Sequence, residues 1–306
     1  METGKRQKAK TLRAVSDCSG ERLRVILFVE GELGNREAGY IREALKNADI
    51  SLGCLPELTD RALETALWEE QKTAVEQCLL IAAADRALEF ARSHGLAALA
   101  YQNPALPRQR FEGQRMIVEG FEEVDARFLV RQYERCRGIP WMIAETERCY
   151  IRELSLEDIP ALFELYSKPH VTDYMEPLYE REEEIAYQKL YIENIYGMYG
   201  FGMWLVFEKE GNRLIGRAGL EPKQYPHEDV IELGYVIDPE YQHRGYATEV
   251  CRKIIEIAGA DYGIETLHTL IEPANGASIA LAERLGFHFI GNMHMENTDF
   301  AHYILQ

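Results

Sequence analysis

The chain has no long hydrophobic run. None of its apolar stretches approaches the roughly 20 residues that a membrane-spanning helix requires, so the sequence argues against a membrane location. Positive charge is also scarce: 34 Lys and Arg stand against 51 Asp and Glu among 306 residues, a formal charge of −17. A phosphate backbone needs a basic surface, so nucleic acid is excluded as the main partner. The acidic balance suits solubility and cationic partners alike. The six cysteines, Cys18, Cys54, Cys78, Cys136, Cys149 and Cys251, form no close pair. That spacing fits neither a disulfide framework nor a zinc site, and it suits a reducing cytoplasm. His288, His294 and His302 lack helical ligand spacing and read as strand or loop residues, so no metal is expected. Residues 1–22 carry Lys5, Arg6, Lys8 and Lys10 with no apolar stretch behind them. They read as a flexible tail rather than a secretory signal.

What the sequence does contain is two alternating patterns. The first, over residues 23–140, alternates buried apolar runs with amphipathic helices. Val25–Val29, Leu79–Ala82, Leu96–Tyr101 and Met116–Val118 read as strands. Helices are expected over Arg36–Asn47, within Leu58–Gln77, over Arg86–Ser93 with Asp85 as its cap, and from Asp125 to Arg137. Such alternation predicts a doubly wound, mostly parallel sheet. Gly138-Ile139-Pro140-Trp141 breaks this pattern, and a second begins near Tyr150. It opens with a helix capped by Ser155 and continues with helix over Glu182–Ile195. An antiparallel pair follows, Trp204–Glu208 and Leu214–Leu220, turning at Gly211-Asn212. Strand Val230–Ile237, helix to Gly259, strand Leu267–Ile271, helix Ala277–Leu285 and a final hairpin complete a mixed sheet over residues 149–306.

The connection between Val230–Ile237 and the next helix carries the chemistry. The first N–H groups of a helix lack internal partners, and the helix dipole adds partial positive charge there. A strand, a short loop and a helix therefore make an anion site that needs no lysine. Gly245 removes the side chain where backbone must approach a phosphate. Ala247 keeps the next turn small, Thr248 offers a hydroxyl, and Arg244 can add a full charge. The Walker pattern is absent, which argues against a nucleotide triphosphatase.

Gln242-His243-Arg244-Gly245-Tyr246-Ala247 resembles the Arg/Gln-x-x-Gly-x-Gly/Ala loop of the GNAT N-acetyltransferase family. Glu232-Leu233-Gly234-Tyr235-Val236-Ile237-Asp238-Pro239 resembles the family's preceding strand, and Asn275, Ser278 and Leu285-Gly286-Phe287 its second motif. The Asn-x-x-Ser arrangement is most similar to the branch of the ribosomal-protein alanine acetyltransferases. This resemblance implies a GNAT-type mixed α/β domain with splayed central strands. It implies acetyl-CoA as co-substrate, with Val236, Ile237, Gln242, His243, Arg244, Gly245, Tyr246, Ala247, Thr248, Asn275 and Ser278 contacting it. It also implies direct attack of an amine on the thioester, which needs a general base. Glu232 is the first candidate, because the family often places an acid there, and Glu272 is the alternative. Many members supply a tyrosine beyond the second motif as proton donor to the thiolate. Leu285-Gly286-Phe287-His288 has none, and the resembling branch implies Ser278 instead. Ser278 also reads as a first-turn residue of a helix capped by Asn275. Gly276-Ala277-Ser278-Ile279-Ala280 imitates a hydrolase nucleophile elbow, a reading that leaves the phosphate loop unexplained.

On the acceptor side, Tyr174 and Met175 are expected to line a pocket with Glu232 and Glu272. Aromatic rings beside carboxylates suit a cationic amine. Glu182, Glu183 and Glu184 read as a solvated helix start. The acceptor is a protein N-terminus or a small-molecule amine. At the other end of the chain, Ile26-Leu27-Phe28-Val29-Glu30-Gly31-Glu32-Leu33 weakly resembles the Asp-x-Asp-Gly-Thr strand end of haloacid-dehalogenase-like domains. Phe28 and Glu30 stand at the two aspartate positions, which implies a domain without phosphatase activity, left to bind a ligand, shape the cleft or form a homo-oligomer contact. The alternative for the whole chain is a non-catalytic acyl-CoA-binding regulatory module fused to that inactive domain.

Overall fold

The computed structural model describes residues 22–71, 73–226, 228–295 and 298–306. All but the last residue of the expected 1–22 tail lies outside them. The chain divides into two compact units, the first ending at Ile139 and the second spanning Pro140–Gln306.

The first unit alternates β1 (Val25–Val29), α1 (Asn35–Leu45), β2 (Ser51–Leu55) and α2 (Asp60–Glu64), the last running into a π-helical stretch, Thr65–Gln71. It continues with β3 (Cys78–Ala82), α3 (Asp85–His94), β4 (Ala97–Tyr101), β5 (Ile117–Val118) and α4 (Ala126–Arg137). All strand pairs are parallel, in the order β2-β1-β3-β4-β5. Both faces are covered, which is why the central strands read as unbroken apolar runs rather than alternating ones. Ile26, Leu79, Ile81 and Leu99 pack with α1 and α4 on one face. Val25, Leu27, Leu80 and Ala100 pack with α2, the π stretch and α3 on the other. The expected doubly wound parallel sheet is therefore what forms. Sequence reasoning missed β2. It is an edge strand paired to β1 alone, with only Gly53 and Leu55 buried, so it carries little hydrophobic signal. Asp85 does not cap α3. Ala84 holds the N-cap position, and the Asp85 carboxylate instead accepts from the N–H groups of Phe111 (2.9 Å) and Arg110 (3.3 Å).

The second unit is built on one mixed sheet. Its elements are β6 (Met142–Glu145), β7 (Cys149–Arg152), α5 (Ile159–Tyr166), α6 (Arg181–Tyr191), a π-helical stretch Ile192–Tyr196, β8 (Met203–Glu208), β9 (Arg213–Gln224) and β10 (Asp229–Ile237). Then follow α7 (Tyr246–Tyr262), β11 (Leu267–Ile271), α8 (Gly276–Leu285), β12 (His288–Met295) and β13 (Thr298–Leu305). The order is β12-β13-β11-β10-β9-β8-β7-β6, and only β10 and β11 run parallel. β6 is a further strand that the break signal concealed, since it follows Pro140 directly and pairs only at the sheet edge. Ser155 caps the turn before α5 as expected, and it does so in a capping box with Asp158. Trp204, Leu205, Ile215, Ala218 and Leu220 centre a core that continues through Val250, Cys251 and Ile254 of α7. These three residues explain why the helix start behind the 242–247 loop is held in place.

Candidate active site

Two strands that should run side by side part company here. β10 and β11 pair at one position, Glu232 opposite His268. Beyond it, Leu233–Ile237 and Thr269–Ile271 have no register with each other, while β10 keeps its full pairing with β9 and β11 with β13. The result is a wedge-shaped gap between two well-supported strands, with Glu232 at its closed end. The loop to α7 and the loop to α8 follow the strand ends at its open end.

At the open end, Gly245 (φ +83°) precedes α7 with no side-chain cap, and His243 (φ +58°) is also left-handed. Two left-handed residues so close turn the loop tightly enough to bare the helix end. The first helical donor with a partner is Glu249, bonded to the Gly245 carbonyl at 3.0 Å. The N–H groups of Tyr246, Ala247 and Thr248 accordingly point out of the helix end. Gln242 is turned the other way and donates to the Ile237 carbonyl at 2.9 Å, which fixes the loop to its strand. Arg148, unremarked in the sequence, clamps the loop. It donates to the Arg244 carbonyl (2.9 Å) and to Glu249 (2.7 Å), and its guanidinium lies 4.0 Å from the Tyr246 ring centroid. Nearby, Asp238 ends β10 in a buried ion pair with Lys168 at 2.6 Å.

At α8, Asn275 accepts from the Ser278 N–H at 3.1 Å and so caps the helix. The Ser278 hydroxyl lies close to that of Tyr235, whose buried oxygen has no partner within bonding geometry. Burial raises the Tyr235 phenol above its usual range, and the serine opposes that shift.

At the closed end, burial pushes the Glu232 carboxyl up to about 7, and Glu221, its cross-strand neighbour, adds to the rise. Lys223, the Tyr225 hydroxyl and the Leu270 N–H oppose it. Tyr225 donates to Glu232 Oε2 at 3.2 Å. Its ring meets His268 and His302 edge-on, with centroids 5.9 and 5.3 Å away. The two imidazoles share a hydrogen bond, His268 Nδ1 to His302 Nε2, at 2.9 Å. Burial holds both below the ordinary histidine range, His302 further so because of His268. A neutral pair thus backs the tyrosine that backs the carboxylate. This cluster was hidden in the sequence because its members come from β9, β10, β11 and β13.

The remaining expected residues divide. Tyr174 is 45 % exposed, and its hydroxyl donates to the Ala274 carbonyl at 3.2 Å, so it does reach the loop before α8. Met175 is half-buried in the same segment, and Glu272 is half-buried just past β11. Glu184 is a correction. It is 1 % exposed and accepts from the Tyr179 N–H and from Gln188 Nε2, so it organises α6 rather than facing solvent. Among the described residues no group of three or more His, Cys, Asp or Glu side chains is arranged to hold a metal ion.

Residues 148–288 match the model of the acetyltransferase (GNAT) domain. The C-terminal half of the chain is a GNAT acetyltransferase domain. An uncharacterised protein of Bacillus subtilis, YkkB, is 28 % identical over 159 residues, which span 52 % of this chain and 92 % of that protein. An uncharacterised N-acetyltransferase of the same organism, YoaA, is 27 % identical over 147 residues, 47 % of this chain and 82 % of its own. Among solved structures, an acetyltransferase from Agrobacterium tumefaciens has 24 % identity and a TM-score of 0.46, over 53 % of this chain and 93 % of its own. RimL, a ribosomal L7/L12 α-N-protein acetyltransferase in complex with coenzyme A, has 19 % identity and a TM-score of 0.47, over 54 % and 97 %. The GNAT domain and its N-acetyltransferase relatives make the chain an acetyl-CoA-dependent acyltransferase.

Proposed function

We propose that the GNAT domain transfers the acetyl group of acetyl-CoA to a primary amine by direct attack, with Glu232 as general base. The observation that carries this reading is Glu232 at the closed end of the wedge, its carboxyl raised to about 7. A base of that strength is largely ionised just above neutrality yet can still hold a proton taken from an amine, which is the compromise general-base catalysis needs.

The residues present fit acetyl-CoA. The unpaired N–H groups of Tyr246, Ala247 and Thr248, the absent side chain at Gly245 and the Arg148 guanidinium offer a pyrophosphate donors, space and charge. The free edges of Val236 and Ile237 offer an extended pantetheine arm backbone partners in the gap. In the reaction the amine nitrogen forms a bond to the thioester carbonyl carbon, and Glu232 receives its proton. The carbon–sulfur bond then breaks and the thiolate leaves. Ser278 supplies a hydroxyl proton to the sulfur, and Tyr235, whose buried hydroxyl has no other partner, is placed to hold that serine. Tyr174 and Met175 form part of the acceptor wall.

Thiol release from acetyl-CoA, followed over panels of small amines and N-terminal peptides, tests this reading. Turnover is expected with at least one acceptor class and is expected to fall steeply in Glu232→Gln. A Glu232→Gln enzyme with full activity and an unchanged pH profile would remove Glu232 from the role of base. Failure of every acceptor despite tight binding of coenzyme A would overturn the amine reading.

A further inference from the structure

Arg217 carries a charge that its surroundings do not balance. It lies mid-strand on β9, between Leu205 of β8 and Val236 of β10, and is 8 % exposed. A guanidinium does not give up its proton in a protein. Yet among the described residues no carboxylate lies within 4.0 Å of it, and its enclosed Nε has no hydrogen-bond partner. Its neighbours are phenols: the Tyr166 hydroxyl lies within hydrogen-bonding reach of the guanidinium, the Tyr191 ring centroid is 5.5 Å away, and Tyr196 completes the enclosure. The partly buried Arg152 shows the ordinary arrangement, a bidentate pair with Asp158 at 2.7 and 2.6 Å. Leaving a buried ion without a counter-charge is costly, and a cation–π contact offsets only part of that cost. The three tyrosines shield Arg217 without neutralising it.

Register shows which side of the sheet this charge serves. Arg217 is directly opposite Val236, and Glu221 is directly opposite Glu232. Alternation along β10 puts Val236 and Glu232 on one face and Tyr235, beneath α7 and α8, on the other. Arg217 and the base therefore share the face covered by α5 and α6, away from the helix end that would hold the pyrophosphate. Their levels are four residues apart, about 13 Å at roughly 3.3 Å per residue. Between them lies the pair Gly219 and Gly234, overlain by Met203.

We propose that Arg217 recognises a carboxylate on the acceptor, so that the substrate is an amine that also bears an acidic group, held with its amine toward Glu232 and its carboxylate on the guanidinium fork. This rests on the transfer reading above. The planar fork matches a carboxylate bidentately, and the match is strongest where water is excluded.

The test uses the full chain with coenzyme A and two matched probe sets: N-acetylated glycine, alanine, serine and glutamate, and the same compounds as uncharged amides. The acids are expected to raise the melting temperature, and the amides are not. Arg217→Met is expected to abolish the difference while its own melting temperature, without probe, stays equal to or above that of the parent, because an unpaired buried charge is replaced by apolar bulk. Arg217→Lys, which keeps the charge and loses the fork, is expected to weaken acid binding at least tenfold and serves as the folded comparison if the methionine variant is unstable. Equal responses to acids and amides in the parent would overturn the proposal, as would a several-degree loss of stability in both variants with acid binding retained. Turnover then locates the carboxylate. With free amino acids, or with peptides carrying Asp or Glu next to the N-terminus, Arg217→Met should raise KM for the acidic acceptor and not for its neutral counterpart. Acid-specific stabilisation without turnover on any acceptor would sink the transfer reading and leave the Arg217 site standing.

Discussion

At the ends of the parallel strands in the N-terminal unit, polar side chains close on one another, whereas along the splayed strands of the GNAT domain they stay open. Glu32 follows β1 and is 3 % exposed. Its carboxylate accepts from the Ala83 N–H at 3.1 Å and from Arg86 at 3.3 Å, while its carbonyl accepts from Asn103 at 2.9 Å. A cavity of about 350 Å3 lies beside it, walled by Glu30, Arg86 and Arg108. In the GNAT domain polar groups are left over around the splayed strands, among them the α7 N–H groups, the Tyr235 hydroxyl and the Arg217 Nε, and the Glu232 carboxyl stays raised despite its Tyr225 partner. Burying a polar group without a partner costs free energy. Such unpaired groups on the strands and loops around β10 make this region the candidate for binding atoms that would complete their hydrogen bonds.

The contrast can be broken or sharpened by substitution. The largest effect is expected at Gly245. Gly245→Asp places a carboxylate against a phosphate and a side chain on a left-handed backbone, and calorimetry should show coenzyme A binding weakened beyond detection in a chain that remains folded. Unchanged affinity would detach the loop from the cofactor. Glu232→Gln should lower kcat by about 10²–10⁴-fold, the usual contribution of a general base. The same variant should be at least as stable as the parent at pH 8. A carboxyl raised on folding holds its proton in the native state while the unfolded chain loses it, so stability declines as pH climbs from the ordinary carboxylate range to about 7. A denaturation series across that window checks the sign.

Tyr225→Phe comes next. It keeps the ring against His268 and His302 and removes the hydrogen bond that helps hold Glu232 down. The acid limb of the kcat/KM profile should shift to higher pH, and a limb that stays put would make the tyrosine mere packing. On the proposed role of Ser278 as proton donor to the sulfur, Ser278→Ala should lower kcat more than it changes coenzyme A affinity. The smallest catalytic effect belongs to the N-terminal unit. Glu32→Ala leaves the Ala83 N–H unpaired, so stability should fall by about 1–3 kcal/mol, while acetyl transfer under native conditions is unchanged.

Much of this was legible in residue order. The buried runs Val25–Val29 and Leu79–Ala82 announced a sheet covered on both faces, and Gly245 before the apolar stripe Val250, Cys251 and Ile254 announced an anchored, uncapped helix end. Those are local facts: period, cap and turn act within a few residues, and the sequence carries them without help from the fold. The same holds for Asn275 and Ser278, which meet because they are three apart in one helical turn. Edge strands such as β2 and β6 were harder to see, because strands paired on one side need little hydrophobicity.

What tertiary structure alone decided is every arrangement that depends on register. Glu221 stands beside Glu232, His268 beside the same carboxylate, and His302 behind them, because β9, β10, β11 and β13 align at that level. No spacing in the chain encodes those meetings. The burial that raises Glu232, the neighbours that fail to neutralise Arg217 and the arginine that clamps the loop before α7 from a hundred residues away are likewise products of packing. By itself the sequence determined which end of which helix is bare. The fold decided which charges stand together, because a side chain's electrostatic environment is set by the strands next to it in space and not by the residues next to it in the chain.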